Sequence, residues 1–146
     1  MNLNEDFKEF VQLLNKNKAE YLVVGGYAVA MHGYPRYTGD IDFWINSNSE
    51  NAQRIIQALL EFGFGSVDIS LEDLTEPDNV IQLGYPPNRI DILTSVTGLE
   101  FENCWKEKVE VVFENEKINF ISLHHLKINK KETGRTQDKL DLENLP

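Results

Sequence analysis

Apolar and polar residues alternate along this chain with two periods, one typical of amphipathic helices and one typical of strands. Between Asn4 and Asn17 the apolar side chains Phe7, Phe10 and Leu14 recur every three or four positions. This spacing places them on one face of a helix and leaves polar residues on the other. The pattern therefore predicts an amphipathic first helix.

A second amphipathic helix is predicted to end at Phe62. Ser47 and Glu50 have the spacing of a capping box at its start, and Gly63 is typical of a residue that ends a helix. The apolar positions between them share one face and are Ala52, Ile55, Ile56, Leu59 and Leu60.

The period changes to that of a strand on either side of a glycine pair. Residues 21–24 (YLVV) predict a buried strand that passes through Gly25 and Gly26 into a short helix. Residues 40–45 (DIDFWI) predict the next strand, in which Asp40 and Asp42 alternate with apolar residues. Side chains two positions apart on a strand point to the same face, so the two carboxylates lie on one face of the strand.

Two further strands are predicted over residues 80–83 and 89–94, separated by the turn-rich residues 84–88. In the second of these strands, Asp91 lies between Ile90 and Ile92, whose side chains can enter the core. Two strands of one sheet can therefore bring Asp40, Asp42 and Asp91 to one face.

The C-terminal third predicts a hairpin followed by two helices. The hairpin joins residues 109–113 and 118–121 through the polar residues 114–117. Ser122 is typical of a helix cap, Gly134 ends that helix, and a last short helix follows. Residues 64–79 contain Gly65, Pro77 and five acidic residues; a strand followed by a loop near the site fits them. Together these elements predict an α/β (α+β) fold, in which helices flank a mixed, twisted β-sheet.

Length and composition predict a single domain over residues 1–146. The single cysteine, Cys104, cannot form an internal disulfide, which favours a reducing compartment. The first ten residues carry acidic groups where a secretory signal has basic ones, and no apolar run is long enough to span a membrane. We therefore expect a cytoplasmic protein without a membrane partner.

Charge argues against a broad nucleic-acid footprint but leaves room for a local basic site. The net charge is −10, from 14 basic and 24 acidic residues. Residues 123–139 reverse this balance, with five basic and two acidic side chains. The stretch suits a polyphosphate substrate, although a solvated helix face is the ordinary explanation of such a run.

The most specific chemistry lies in the glycine pair and the carboxylates. A strand that passes through two glycines into a helix leaves backbone N–H groups free for a phosphate. Asp40 and Asp42 are spaced to share a divalent cation. Each feature alone has an ordinary explanation, since a glycine pair is commonly a tight turn and a D-x-D pattern a solvated strand face. Their combination with Asp91 favours a site.

In this combination the chain resembles the nucleotidyltransferase superfamily with the polymerase-β-like fold. The resemblance rests on Val24-Gly25-Gly26, on Asp40-Ile41-Asp42 after a thirteen-residue spacer, and on Asp91 as third carboxylate. The fuller pattern Arg36-x-Thr38-x-Asp40, with Lys130 and Gly134-Arg135-x-x-Asp138-x-x-Asp141-Leu142, is similar to a bacterial group of AbiEii-type toxins and small standalone nucleotidyltransferases. The resemblance to the superfamily covers essentially the whole chain.

The resemblance implies a role for each matched residue. Asp40, Asp42 and Asp91 would be catalytic and would hold two Mg²⁺ ions, or Mn²⁺, with Asp91 on the acceptor side. Gly25 and Gly26 would let the backbone approach the triphosphate. The remaining nucleotide-binding candidates are Arg36, Thr38 and Lys130. A solvated helix lysine is the alternative for Lys130, and Asp141 would be a site residue or a structural partner of Arg135.

The implied function is Mg²⁺-dependent transfer of NMP from an NTP to a hydroxyl of a macromolecule, in a toxin–antitoxin or phage-defence system. Two macromolecular acceptors stay open, an RNA end such as that of tRNA and a side chain of a partner protein. The alternatives are an aminoglycoside-type small-molecule acceptor and a catalytically silent nucleotide- or partner-binding module. AbiEii-type toxins carry a further C-terminal region that this sequence lacks, so the resemblance also implies a cognate toxin or antitoxin partner, or a homodimer.

Overall fold

The computed structural model describes residues 3–64 and 68–146, which form helices on both faces of a six-stranded mixed sheet. The predicted α/β class with a mixed sheet is confirmed. The helices are α1 (Glu5–Lys16), α2 (Gly25–Met31), α3 (Ser49–Phe62), α4 (Leu71–Thr75), α5 (Phe101–Lys106), α6 (Leu123–Thr133) and α7 (Thr136–Asn144). The strands are β1 (Tyr21–Val24), β2 (Ile41–Ile45), β3 (Val80–Leu83), β4 (Ile90–Leu93), β5 (Val109–Phe113) and β6 (Glu116–Phe120).

The strand order β3-β4-β2-β1-β6-β5 puts the two strands of the glycine–aspartate segment at the centre of the sheet. β1 runs antiparallel to β2, whereas β2 and β4 are parallel neighbours. β6 lies parallel to β1 on its other side. The end of β1 therefore meets the beginnings of β2 and β4 at one end of the sheet.

The helix predictions hold for α1 and, with a shifted start, for α3. Phe10 of α1 is fully buried and packs edge-on against Phe43 of β2, with ring centroids 5.3 Å apart. The capping prediction for α3 was wrong by one residue, because the side chain of Asn48, rather than that of Ser47, accepts a hydrogen bond from the backbone N–H of Asn51. The left-handed Gly63 ends α3 as predicted.

The other face of the sheet is covered by α5 and the C-terminal helices. Trp44 of β2 is 2% exposed and packs edge-on against Phe101 of α5. Leu126 of α6 is fully buried. The contact between Trp44 and Phe101 places α5 over the face that carries Asp42.

Two loop predictions need correction. The hairpin turn between β5 and β6 consists of Glu114 and Asn115 alone, and both have positive φ, as in the two-residue turns that match strand twist. Residues 64–79 contain helix α4, whose start is capped by Ser70 and Asp73, where a strand had been expected. Residues 65–67 of that stretch lie outside the described residues. Within residues 3–64 and 68–146, no helix is both long enough and apolar enough to cross a membrane.

Candidate active site

The paired strands β2 and β4 bring two of the predicted carboxylates together. Asp42 and Asp91 are direct partners in the parallel register, and Asp42 also lies opposite Val24 at the end of β1. Because side chains at paired positions of neighbouring strands point to the same face, both carboxylates face the same side of the sheet. Asp40 lies just before β2 and is joined to the pair through Arg89.

The electrostatics of Asp42 reflect this proximity. Burial, the negative charge of Asp91, a hydrogen bond with Asp91 and the charge of Asp40 raise the pKa of Asp42 to about 7, whereas Lys130 acts in the opposite direction. Mutual repulsion between carboxylates that share a site is a typical reason for such a shift. We call Asp40, Asp42 and Asp91 the carboxylate cluster.

Arg89 holds two members of this cluster and was missed in the sequence. Its guanidinium donates to both oxygens of Asp91, at 2.7 and 3.0 Å. The backbone N–H of Arg89 donates to Oδ1 of Asp40 at 3.0 Å, and its Nη2 lies 3.4 Å from Oδ2 of that residue. A signal did exist, because Arg89 precedes Asp91 by two positions and therefore shares its face of the strand.

The glycine pair is in tight contact with polar side chains of the site. A Cβ on Gly25 would lie 2.2 Å from Oδ2 of Asp42, and the φ of Gly25 is +68°. A Cβ on Gly26 would lie 2.5 Å from Oγ1 of Thr38, a hydroxyl that donates to the backbone carbonyl of Asp40 at 3.4 Å. Both glycines are therefore required by the close approach of α2 to the residues around β2.

Lys130 is buried in a network of ion pairs. It is 4% exposed, and its Nζ lies 3.1 Å from Oδ1 of Asp138 and 3.0 Å from Oδ2 of Asp141, both fully buried. The solvated-lysine alternative was therefore wrong. Arg36 donates to Asp141 through Nε and Nη2, at 2.8 and 3.0 Å.

Arg135 is the last member of this set of ion-paired side chains, which we call the Lys130 network. Its members are Lys130, Arg36, Arg135, Asp138 and Asp141. The Nε of Arg135 donates to Oδ2 of Asp138 at 2.8 Å, so of the two alternatives for Asp141 the one that made it the structural partner of Arg135 was wrong. Burial acts to raise the pKa of Asp138, but hydrogen bonds from Arg135, Thr133 and Lys130 outweigh it and hold that pKa well below its usual range. The pKa of Asp141 is lowered in the same way against its burial, chiefly by hydrogen bonds from Arg36 and Lys130.

A cleft of about 690 Å³ connects the two groups of charges. Gly25 and Asp42 line one part of it, and Lys130 and Arg135 line another. The acidic Glu132 also lines the cleft, and the remaining wall is formed by apolar and uncharged polar residues, which are Val24, Val80, Leu93, Ser95, Val96, Thr97, Asn129 and Thr133. The volume lies in the range typical of small-molecule sites.

The carboxylate cluster has the chemistry of a divalent-cation site but not a complete preformed geometry. Carboxylate oxygens are the donors that Mg²⁺ prefers, and the pKa of Asp42 is raised first by burial and then by the neighbouring charge of Asp91. Within the described part of the chain, no three His, Cys, Asp or Glu side chains meet closely enough to form a metal site. Asp42 and Asp91, which are paired across β2 and β4, are thus the best candidates for a pair of ligands to one cation. Arg89 binds Asp40 and Asp91 in this structure.

Comparison with known proteins identifies the fold. The sequence matches no protein-family model and no curated protein. The structure is similar to that of TM1012, a proposed nucleotidyltransferase from Thermotoga maritima, with a TM-score of 0.63 and 20% identity over 93% of this chain and 87% of that one. It is also similar to the lincosamide antibiotic adenylyltransferase LnuA with lincomycin bound, with a TM-score of 0.56 and 19% identity over 99% and 97% of the two chains. Together with the mixed sheet and its flanking helices, these similarities show that the chain has the nucleotidyltransferase fold.

Proposed function

We propose that this protein is a nucleotidyltransferase that moves NMP from an NTP to an acceptor hydroxyl in the presence of Mg²⁺. The observation that carries the proposal is the pairing of Asp42 with Asp91 beside Gly25, in a cleft whose other part holds Lys130 and Arg135. Negative and positive groups thus lie on one cleft, as transfer of a charged group from a triphosphate requires.

Asp40, Asp42 and Asp91 would hold the metal once Arg89 releases them, since its guanidinium donates to both oxygens of Asp91 and lies 3.4 Å from Oδ2 of Asp40. When bound, Mg²⁺ would offset charge on the triphosphate and lower the pKa of the acceptor hydroxyl. Mn²⁺ has the same preference for oxygen donors and is expected to substitute. The close contact between Gly25 and Asp42 would keep the carboxylate beside the backbone that approaches the phosphates.

The Lys130 network would bind and orient the triphosphate. The network has an excess of one positive charge, because it contains three cations, Lys130, Arg36 and Arg135, and two anions, Asp138 and Asp141. Arg135 is 74% exposed and can reach a ligand in the cleft. Buried partners fix the orientation of Lys130 and Arg36 before substrate binds, which reduces the entropy lost on binding.

Two acceptor classes are supported by different observations. The resemblance of Arg36, Thr38 and the C-terminal pattern to AbiEii-type toxins favours a macromolecular hydroxyl, on RNA or on a partner protein, and a role in a toxin–antitoxin or phage-defence system. The similarity to LnuA, an adenylyltransferase crystallised with lincomycin, favours a small-molecule acceptor as the second candidate.

Labelled NTPs test the proposal directly. The purified protein and Mg²⁺ are incubated with each α-labelled NTP and, in separate reactions, with RNA, candidate partner proteins, lincosamides and aminoglycosides. Transfer to one acceptor is expected, and it should be lost on addition of EDTA and in Asp42→Asn.

The matched control is Asp68→Asn, which removes an exposed carboxylate outside the cleft. It should transfer NMP at the wild-type rate. Transfer that survives Asp42→Asn would refute the assignment of the site. Mg²⁺–NTP binding without transfer in the wild type would favour the silent nucleotide-binding module, and absence of both would favour the silent partner-binding module.

A further inference from the structure

Arg89 differs from the other basic residues of the site, because its partners are the carboxylates assigned to the metal. Its guanidinium donates to both oxygens of Asp91, at 2.7 and 3.0 Å, and its Nη2 lies 3.4 Å from Oδ2 of Asp40. A divalent cation needs the same oxygens and would repel a guanidinium beside it. Arg89 and the metal therefore compete for one set of ligands.

The main chain of Arg89 is fixed, so only its side chain can leave the carboxylate cluster. Its backbone N–H donates to Oδ1 of Asp40 at 3.0 Å, and its backbone carbonyl accepts from the N–H of Ile41 at 3.0 Å. The side chain is 22% exposed, so the guanidinium can turn towards solvent. A rotation of this side chain would free Asp91 and Oδ2 of Asp40, while the backbone keeps Oδ1 of Asp40 in place.

The neighbouring Lys130 network has no carboxylate to spare for a displaced guanidinium. Its two anions are the buried Asp138 and Asp141, and all four of their oxygens already receive donors from the protein. The excess positive charge of the network would also repel a further cation. The anion that best suits a released Arg89 is therefore one that a ligand brings.

The charge on the carboxylate cluster points to the same kind of ligand. The pKa of Arg89 is raised chiefly by its hydrogen bond with Asp91, and the charges of Asp91, Asp40 and Asp42 add to this against desolvation. One guanidinium thus lies close to all three carboxyl groups. Replacing it by a dication would leave two kinds of cation side by side, unless a polyanion joins them. A triphosphate does so, since its oxygens bind a metal and also match the fork of an arginine.

We propose that Arg89 couples metal binding to triphosphate binding: its guanidinium holds the carboxylate cluster until a divalent cation displaces it, and then binds the phosphates on that cation. The inference rests on the proposed function, since it concerns the same metal and the same triphosphate. It makes Arg89 a positioning residue that disfavours metal without nucleotide. By linkage, each of the two ligands then raises the affinity for the other.

Binding of Mn²⁺ alone, followed by the paramagnetic resonance of the free ion, tests the competition. Arg89→Gln should bind Mn²⁺ about ten-fold more tightly than the wild type, because the competing charged hydrogen bonds are gone. Arg89→Lys keeps the charge without the bidentate fork and should lie between the two. Arg54→Gln is the matched control, since it removes the same charge from α3, where Arg54 pairs with Glu50. It should bind Mn²⁺ like the wild type.

Thermal unfolding separates this effect from damage to the fold. Without Arg89 the carboxylates repel one another more strongly, so Arg89→Gln should melt at a lower temperature than the wild type in EDTA. Mn²⁺ should then raise its melting temperature by more than it raises that of the wild type, because the variant binds the ion more tightly.

Calorimetric titration with inorganic triphosphate tests the second half of the coupling. With Mn²⁺ in an excess that fills the site of both proteins, Arg89→Gln should bind triphosphate about ten-fold more weakly than the wild type, because the released guanidinium is missing. In EDTA the guanidinium stays on Asp91 and Asp40, so the two proteins should agree within about two-fold.

The possible results separate this inference from the proposed function. Equal or weaker Mn²⁺ binding in Arg89→Gln would overturn the competition. An equal loss of triphosphate affinity in Mn²⁺ and in EDTA would overturn the coupling, because Arg89 would then bind phosphate without a metal. Absence of Mn²⁺ binding in both proteins would overturn the inference together with the proposed metal site. Tighter Mn²⁺ binding in Arg89→Gln, with no NMP transfer by the wild type, would support the role of Arg89 while the proposed function failed.

Discussion

Gly25→Ala is expected to damage the candidate site far more than it damages the fold. Gly25 has a φ of +68°, a conformation that costs an alanine roughly 1–2 kcal/mol. The added Cβ would lie 2.2 Å from Oδ2 of Asp42, whereas ordinary contact begins at 3.4 Å. The carboxylate must therefore withdraw by about 1 Å, a misplacement that can reduce an enzymatic rate by about 100-fold.

Two measurements separate these effects. Urea denaturation should show a loss of about 1–2 kcal/mol in the free energy of unfolding, and NMP transfer at saturating NTP should fall by about 100-fold. Gly63→Ala is the matched control, since Gly63 also has a positive φ, +103°, but nothing lies within 4 Å of its added Cβ. It should lose stability and keep its transfer rate. Full activity in Gly25→Ala would refute the argument that this glycine sets the position of Asp42.

Three further predictions concern the charged groups. Asp138→Ala should lower the free energy of unfolding by about 3–5 kcal/mol in urea denaturation, because it removes a buried partner of Lys130. The control Asp68→Ala changes an exposed residue and should alter this free energy by less than about 0.5 kcal/mol. Equal losses in the two variants would contradict this account. The pKa values of Asp138 and Asp141 are held low in the folded state, so their contribution to stability is complete above the unfolded value of about 3.9 and is lost as the pH falls through it towards the folded pKa. Unfolding measured between pH 5 and pH 2.5 should therefore depend less steeply on pH in Asp141→Asn, and an unchanged slope would contradict this. In EDTA, the free energy of unfolding of Asp42→Asn should exceed that of the wild type by at least about 1 kcal/mol, because the substitution removes a buried carboxylate beside Asp91. Added Mg²⁺ should raise the melting temperature of the wild type only. Equal stabilisation of both proteins by Mg²⁺ would place the metal elsewhere.

The elements around β1 and β2 could be predicted because local patterns determine them. Alternation of Asp40 and Asp42 with apolar residues fixed which side chains enter the core, and the same period in β4 indicated the face of Asp91. The parallel register then makes Asp42 and Asp91 neighbours. A slip of one residue in β2 would turn Asp42 to the face where Phe43 packs against Phe10 of α1, so the pattern itself specifies the register.

The Lys130 network could not be predicted from the same kind of pattern. Helix α7 buries Asp138 and Asp141, so its sequence has the polar appearance of a solvated helix although these positions are fully buried. Lys130 does lie four positions after the buried Leu126 and shares its face of α6, but a lysine at such a position gives no sign of the aspartates that pair with it. Burial of these groups depends on partners up to 105 residues away, as in the pair of Arg36 with Asp141.

The two groups of charges are unequal in a way that bears on function. The carboxylate cluster places three carboxyl groups around the single positive charge of Arg89, and the Lys130 network holds three positive charges against two negative ones. Because like charges at close range are costly away from water, a folded protein that keeps both imbalances on one cleft gains from a ligand that corrects them. A metal-bound triphosphate does so, since its cation meets the carboxylates and its phosphates meet the cations. The paired imbalance therefore favours a site for a metal-bound triphosphate over a module that binds only a partner protein.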